Sequence, residues 1–186
     1  QKVFASLDLT LPTKVLDDPQ IFAVETVDLQ AKIIRCYQRH YLNMNRYGFD
    51  KWLMSLIPST VETVRARCLS VREENGIFKI DTDNDDYKEI LSAVIVGADG
   101  ANSIVRRSFF KQQPYKYVAI QQWFKTEDEN MPHYSCIFDP ETSNSCSWTI
   151  RKSDTYVFGG AFRKKNCREA FEKQKKKFEE FMGKSL

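Results

Sequence analysis

Short apolar runs separated by polar turns predict a chain that is mostly strand. Residues 22–27 and 33–37 are rich in β-branched and aromatic side chains, which favour extended strands. Residues 117–125 alternate between apolar and polar positions, as a half-buried strand does. Three further strands are predicted at 131–139, 145–151 and 155–162. Because these last strands follow one another without an intervening helix, they predict an antiparallel sheet.

A β-meander is predicted in the middle of the chain. A strand over residues 61–74 precedes Asn75-Gly76, a dipeptide that favours a two-residue hairpin turn. The second strand of the meander is predicted over residues 77–82 and the third over residues 87–91. The acidic turn between these two strands lacks the glycine and the final glutamate of an EF-hand loop, so we predict no metal site there.

Two segments have the apolar spacing of a helix. Residues 166–183 predict a C-terminal helix with a lysine-rich polar side. The other segment ends at Pro58, which cannot continue a helix. Its apolar residues fall three and four positions apart on one face: Phe49, Trp52, Leu53, Leu56 and Ile57.

The stretch from Ala93 to Arg107, AVIVGADGANSIVRR, combines a strand, a turn and a helix start. Residues 94–96 predict a strand buried on both faces. Asp99 and Gly100 form a sharp turn, and Asp99, Asn102 or Ser103 can cap the helix that follows. Such a turn offers backbone N–H groups and a favourable dipole to a phosphate or a ribose hydroxyl. The alternative is a turn that only caps its helix.

Composition places the chain among soluble globular proteins. It has 186 residues, of which 42% are hydrophobic and 28% charged. No apolar run approaches the roughly 20 residues that span a bilayer, and no signal peptide is recognisable. The five cysteines are scattered and there are only two histidines, which argues against a disulfide framework or a metal site. We therefore predict a cytoplasmic protein, with the membrane surface as a second location.

Positive charge is concentrated in the C-terminal part, although the net charge is only +3. From Arg151 onward there are 11 Lys and Arg against 5 Asp and Glu. One alternative is therefore an interaction domain whose basic helix meets an acidic partner or an anionic membrane surface. The lysines concerned are Lys173, Lys175, Lys176 and Lys177. We predict no nucleic-acid binding, because aromatic residues are not interleaved with these lysines on an exposed face.

Two motifs carry a resemblance to known proteins. The turn from Gly97 to Ser103, followed by Arg106 and Arg107, resembles the internal "DG" fingerprint of FAD-dependent oxidoreductases. That superfamily includes aromatic hydroxylases, squalene epoxidases and geranylgeranyl reductases. Arg46 with the Phe-Asp pair and leucine that follow it resembles the R-x-x-F-D-x-x-L motif of the geranylgeranyl reductase branch. The sequence from Cys146 to Phe162 resembles the substrate-domain sheet of the same branch.

The resemblance implies a fold class of α/β tending to α+β. Residues 1–112 would be part of a Rossmann-like FAD-binding domain with its β-meander. Residues 113–186 would be an antiparallel substrate-domain sheet with a C-terminal helix.

The resemblance also implies roles for individual residues. Arg46 would contact a phosphate or ribose of FAD, and Asp99 and Gly100 would shape the turn on the phosphate side. Arg106 would contact phosphates of FAD or NAD(P)H. Trp148 and Phe162 would either line an apolar substrate cavity or fill the core between sheet and helix. No catalytic acid or base is predicted.

Some parts of the flavoenzyme pattern are absent from the sequence. It contains no G-x-G-x-x-G and no later Gly-Asp motif, and it begins with Gln1. We therefore expect an internal piece of a flavoenzyme that by itself binds FAD weakly or not at all and self-associates through exposed edges.

The parent protein would act on a small apolar substrate, either isoprenoid or aromatic. Its reaction would be C=C reduction or hydroxylation, with NAD(P)H or another electron donor. The remaining alternative is a non-catalytic module that binds flavin or lipid.

Overall fold

The computed structural model describes residues 2–127 and 132–186 of the chain. The predicted strand at 131–139 therefore begins outside the described residues. The helices and strands follow one another in this order: α1 (Lys2–Ser6), β1 (Ile21–Asp28), β2 (Ile33–Tyr41), α2 (Arg46–Ser55), β3 (Cys68–Glu74), β4 (Ile77–Thr82), β5 (Glu89–Ser92), α3 (Ile104–Phe109), β6 (Tyr117–Lys125), β7 (Tyr134–Phe138), β8 (Ser147–Lys152), β9 (Thr155–Arg163) and α4 (Cys167–Met182). Short 3₁₀ turns lie at Thr13–Val15 and Asp85–Tyr87.

The chain divides into two compact units. The first combines the described residues up to Leu56 with those from Tyr117 onward, and the second is Ile57–Lys116. The sheet of the first unit thus draws strands from both sides of the predicted boundary at residue 112, and this boundary does not coincide with the division into units.

A six-stranded sheet forms the first unit, with the strand order β2-β1-β7-β8-β9-β6. The antiparallel pairing predicted for the strands after residue 113 is confirmed for β6, β7, β8 and β9. Strand β1 lies outside that prediction, and it pairs with β7 in parallel. Glu25 is the register partner of Ser135 in this pair. The sequence pattern could not reveal a pairing between strands that lie more than 100 residues apart, and the sheet is therefore mixed.

Helix α4 covers one face of this sheet. Phe158 and Phe162 of β9 point towards the helix and pack against its Phe171 and Phe178, and all four rings are fully buried. The centroid of the Phe158 ring lies 5.6 Å from that of Phe171 and 5.5 Å from that of Phe178. The C-terminal helix predicted over 166–183 is confirmed, and it ends at Gly183, whose φ of +65° suits a residue without a side chain.

The second unit contains the predicted β-meander. Strands β3, β4 and β5 form a three-stranded antiparallel sheet, and Asn75-Gly76 makes the predicted hairpin turn. Helix α3 packs on it through Phe109, whose ring lies edge-on to Phe78 with centroids 5.4 Å apart. The strand predicted over residues 61–74 is confirmed only from Cys68 to Glu74. Strand β4 has six residues and pairs with no residue before Cys68, so the earlier part of the predicted strand has no partner in this sheet.

The predicted buried strand over residues 94–96 is wrong. This segment belongs to neither of the two sheets of the described chain, and Val94 and Val96 are 72% and 83% exposed. An apolar run becomes a buried strand only where neighbouring strands pair with it, and the described residues provide none here.

Candidate functional site

The face of the six-stranded sheet turned away from α4 carries a row of apolar side chains. Register partners in adjacent strands project to the same side of a sheet. Trp123 of β6 pairs with Val157 of β9, which in turn pairs with Ile150 of β8. Ile150 then pairs with Tyr134 of β7. Since Val157 precedes Phe158, which faces α4, this row lies on the opposite face of the sheet.

A cavity of about 530 Å³ opens over one half of this row. Its apolar wall is formed by Trp123, Val157 and Ile150, and its rim includes Arg46 and Tyr47 at the start of α2. Trp123 is 53% exposed, so its indole is accessible to a ligand, whereas Val157 is covered by its neighbours. The cavity therefore has an apolar wall with the cationic side chain of Arg46 beside it.

Arg46 is the first residue of α2, and its position depends on a capped helix start. The Asn45 side chain caps the helix by accepting a hydrogen bond from the N–H of Gly48 at 2.9 Å. The Arg46 guanidinium pairs with Asp50 one turn later, with Nη2 and Oδ1 3.1 Å apart. Its side chain is nevertheless 73% exposed, and an exposed pair of this kind is weak. Arg46 therefore retains donors that can bind an anionic group.

Lys152 also lines this cavity, but its ammonium group already forms an ion pair within the chain. Its ammonium donates to Asp17 Oδ2 at 2.8 Å and to the carbonyl of Met44 at 2.7 Å, and its side chain is mostly buried. These bonds tie the segments before β1 and α2 to the end of β8. Lys152 therefore supports the rim, and Arg46 is the cation better placed to bind a ligand.

A second cavity, of about 640 Å³, lies over the other half of the row. It shares Ile150 with the first cavity, and the Tyr41 and Tyr134 rings meet edge to face in its wall at 5.9 Å between centroids. Phe4 and Met44 add further apolar surface. The two cavities therefore form neighbouring parts of one apolar sheet face.

Two titratable groups on this sheet face, the Tyr134 hydroxyl and the Cys146 thiol, stay protonated at neutral pH. Burial raises the pKa of the Tyr134 hydroxyl far above its ordinary value. Burial likewise raises the pKa of the Cys146 thiol to about 12. A tyrosine and a thiol that stay protonated cannot act as general bases near pH 7. The wall is suited to binding and orienting an apolar molecule.

Trp148 and Phe162 lie on opposite faces of the sheet. A methyl group on Gly159 would touch Trp148, whereas one on the next residue, Gly160, would touch Phe162. Phe162 is fully buried against α4 and belongs to the core, so it does not line a surface cavity. Trp148 is partly exposed and lies on the ligand-accessible face, next to the row of Trp123 and Ile150.

The turn at Asp99 in the second unit is closed by its own hydrogen bonds. Asp99 Oδ2 accepts from the N–H groups of Ile104 at 2.5 Å and Val105 at 3.4 Å. The Ser103 hydroxyl accepts from the N–H of Arg106 at 2.9 Å. Hydrogen bonds, first from Ser103 and then from the backbone, hold the pKa of Asp99 below its ordinary value. The N–H groups of Ile104, Val105 and Arg106 are therefore already bound, as in the alternative of a turn that caps its helix. The binding of a phosphate at this turn stays a prediction.

Gly100 and Arg106 complete this turn. Gly100 has a φ of +74°, which favours glycine. The Arg106 guanidinium donates to the carbonyl of Ala101 at 2.6 Å, while its buried Nε has no hydrogen-bond partner in the described chain. A buried donor of this kind requires an acceptor, and a phosphate or ribose oxygen would supply one. Arg106 also lines a cavity of about 580 Å³ together with Val96, Gly97 and Val105.

The predicted site residues are divided between the two units. Asp99, Gly100 and Arg106 come together in one turn of the second unit, whereas Arg46 belongs to the first. Sequence reasoning missed Trp123 and Tyr134. The alternation over residues 117–125 put Trp123 in a strand, but it did not show which face the strand leaves open.

The basic residues of α4 are largely engaged within the chain. Lys177 donates to both carboxylate oxygens of Asp139 at 2.8 Å, and Lys173 pairs with Glu141. Lys175 donates to Gln122 at 3.0 Å. These contacts reduce the charge that α4 can offer to an acidic partner, so they weaken the alternative of an interaction domain. No helix within the described ranges combines the length and hydrophobicity needed to cross a bilayer.

No family model matches the sequence. Protein CbrA from Escherichia coli O9:H4 (strain HS) is 44% identical over 184 residues, which cover 97% of this chain and 50% of CbrA. The chain therefore spans about half the length of the curated relatives it matches.

Solved structures share the fold at low sequence identity. A geranylgeranyl bacteriochlorophyll reductase-like protein from Thermoplasma acidophilum superposes with a TM-score of 0.72 and 11% identity, over 95% of this chain and 50% of that one. PqsL from Pseudomonas aeruginosa, described as a probable FAD-dependent monooxygenase, gives a TM-score of 0.61 and 16% identity, over 90% of this chain and 50% of that one. This chain therefore has the fold of about half of each of these two proteins, and its sequence is similar to half of CbrA.

Proposed function

We propose that this chain is part of an FAD-dependent oxidoreductase, in which it supplies a cationic contact to the cofactor and the apolar wall of the substrate site. The observation that carries the proposal is the open sheet face, where Trp123, Ile150 and Tyr134 form one row beside Arg46. The fold shared with flavoenzymes supports it. FAD would supply the redox chemistry when bound, while the protein binds and orients the reactants.

The residues of this chain fit an FAD contact at two places. Arg46 has an exposed guanidinium that can bind a phosphate with two parallel hydrogen bonds. Arg106 has a buried Nε that lacks an acceptor within the described residues. We assign Arg46 to a phosphate or ribose of FAD, and Arg106 to a phosphate of FAD or NAD(P)H. Asp99 and Gly100 would then act indirectly, by holding the turn that carries Arg106.

The substrate we propose is a small apolar molecule of isoprenoid or aromatic character. The sheet face offers aromatic rings and branched aliphatic side chains over two adjoining cavities that share Ile150. Apolar area removed from water here would supply most of the binding free energy, at about 25 cal/mol per Å². Neither Tyr134 nor Cys146 provides a base, which suits a reaction that depends on the flavin, either C=C reduction or hydroxylation.

The test is a titration of the purified full-length parent protein with FAD, followed by the quenching of flavin fluorescence. We expect Arg46→Ala to raise the Kd for FAD about tenfold, because a change of this size corresponds to the loss of roughly one charge-assisted hydrogen bond. Arg39→Ala is the matched control, because it removes an exposed arginine from β2 of the same unit and should leave FAD binding unchanged.

Three results distinguish the alternatives. Equal FAD affinities for the wild type and Arg46→Ala would overturn the role of Arg46. FAD that binds but is not reduced by any donor tested would favour a non-catalytic flavin module. Failure of the wild type to bind FAD at all would overturn the flavoenzyme proposal.

A further inference from the structure

We propose that the outer edge of β2 binds an acidic, extended peptide segment of a partner protein, which adds a strand to the six-stranded sheet. Strand β2 (Ile33–Tyr41) is the first in the order of this sheet, and among the described residues it pairs with β1 alone. Its outer backbone N–H and C=O groups therefore face no strand in that part of the chain. Such a row of donors and acceptors is a template for a further strand.

The edge of β2 is regular and exposed. Ile33 to Gln38 pair residue for residue with Asp28 to Ala23, and the register shifts only beyond Gln38. All nine residues of β2 are exposed, and none of them is a proline or a glycine. The regular part presents hydrogen-bonding groups over about 20 Å, which is enough for a short peptide strand.

Apolar side chains on β2 offer a surface that a partner strand would cover. Ile33 and Ile34 are each 45% exposed, and Tyr37 is 43% exposed. Ile34 pairs with Val27, which belongs to the core beneath α4. Tyr37 lies three residues further along β2 and therefore projects from the opposite face. A strand beside β2 would place its own side chains next to both faces, and cross-strand pairs of this kind stabilise a sheet.

The charge on β2 favours an acidic partner. Arg35 and Arg39 lie two residues before and two residues after Tyr37, and the strand contains no Asp or Glu. Arg35 forms no ion pair with any residue that the structure describes. Asp28, at the end of β1, already accepts backbone N–H groups of the turn between the two strands. Carboxylates spaced like the two arginines would form ion pairs with both of them.

The same arginines disfavour a second copy of β2 as the partner. If two β2 strands paired antiparallel about Tyr37, Arg35 of each copy would lie opposite Arg39 of the other. This register is the one that pairs the two strands over their full length, and like charges directly opposite each other destabilise a sheet. The arginines therefore act against self-pairing and in favour of an acidic segment.

A single-stranded nucleic acid fits this edge less well than a peptide. Its phosphates would bind Arg35 and Arg39, but they are acceptors and leave the outer carbonyl groups of β2 without donors. A peptide backbone carries one donor and one acceptor on each residue, so it can pair with both kinds of group. The edge therefore favours a peptide.

The experiment measures the binding of a fluorescein-labelled peptide to the purified full-length parent protein by fluorescence anisotropy. The probe is a capped hexapeptide that alternates valine and glutamate. One comparison peptide carries lysine in place of glutamate, and another keeps the glutamates but is N-methylated throughout, so that it cannot donate backbone hydrogen bonds. We expect the acidic probe to bind, and each comparison peptide to have a Kd at least about tenfold higher. Hydrogen exchange of the β2 amides should slow when the acidic probe is bound.

A charge-reversed variant tests the role of the arginines. Arg35→Glu combined with Arg39→Glu should raise the Kd for the acidic probe more than about tenfold and should lower the Kd for the lysine peptide. Lys88→Glu combined with Lys176→Glu is the matched control, because it changes the net charge equally at two exposed residues outside β2. This control should bind the acidic probe as the wild type does. Near-ultraviolet circular dichroism verifies that each variant retains its tertiary packing.

Four results would overturn the inference. The wild type fails to bind the acidic probe, or it binds the N-methylated peptide equally well, which would show that charge alone is responsible. The matched control loses binding as much as the β2 variant does. A single-stranded oligonucleotide binds more tightly than the acidic probe, or the parent dimerises through β2, which would assign the edge to another occupant. Because no flavin takes part, each of these results leaves the proposed function to its own test.

Discussion

The carboxylate of Asp99 accepts a hydrogen bond from the backbone N–H of Ile104 at 2.5 Å, across the turn that begins α3. The same oxygen reaches the N–H of Val105, and Ser103 binds the N–H of Arg106. The turn is thereby complete without a ligand. If a phosphate binds at this turn, it meets the guanidinium of Arg106 and not these backbone N–H groups.

A cap of this kind should contribute to stability. Asp99→Ala should lower the free energy of unfolding, because the N–H groups of Ile104 and Val105 lose their acceptor. Asp99→Asn keeps an acceptor and should cost less. Urea denaturation followed by circular dichroism measures both changes. An Asp99→Ala protein that is as stable as the wild type would show that the carboxylate does not cap α3.

The ion pairs at the start of the β7–β8 link predict a pH effect. Hydrogen bonds from Lys173 and then Lys177 lower the pKa of Glu141 to about 2 in the folded protein, from an ordinary value of 4.5. The folded pKa is the lower one, so this contribution to stability is present above pH 4.5 and is lost as the pH falls towards 2. Unfolding by urea over this pH range, compared between the wild type and Glu141→Gln, measures the effect.

Glu141→Gln should have a shallower loss of stability across that pH range than the wild type. Because the carboxylate is exposed, solvent screens the pair and the difference should be small. Parallel curves for the two proteins would contradict the role of Glu141.

The core between β9 and α4 should tolerate truncation poorly. Phe178→Ala should destabilise the protein by about 3 to 5 kcal/mol, because the fully buried ring leaves a cavity beside Phe158. Phe22→Ala removes a ring that is 64% exposed and should cost less than about 0.5 kcal/mol. Thermal unfolding of the two variants provides the comparison. A similar loss in both would show that α4 does not close the principal core.

Local elements of this fold were predictable from the sequence, because local chemistry determines them. Asn75-Gly76 favours a hairpin, and Gly183 ends α4 one residue beyond its last turn. The strand over 117–125 was predicted with the bounds that β6 has, from its alternation alone. Each of these features depends on neighbours within a few residues.

The features that failed depend on distant partners. Neither strand contains a sequence feature that predicts the parallel pairing of Glu25 with Ser135. The apolar sequence around Val94 is typical of a buried strand, and only the absence of pairing strands in the described residues leaves Val94 exposed. The prediction of site residues is limited in the same way, because the cavities are formed by residues that are distant in the sequence. The motif around Arg46 was visible, but the sequence did not show that Arg46 borders a cavity with Trp123, on the sheet face that α4 leaves open.

The absorption spectrum of the purified full-length parent protein, before and after incubation with excess FAD and removal of unbound cofactor, tests the central claim most directly. We predict the bands of a bound oxidised flavin, which bleach when NADPH or another donor is added without oxygen. In Arg46→Ala these bands should be weaker at the same protein concentration. A protein that remains colourless after incubation with FAD would contradict the account.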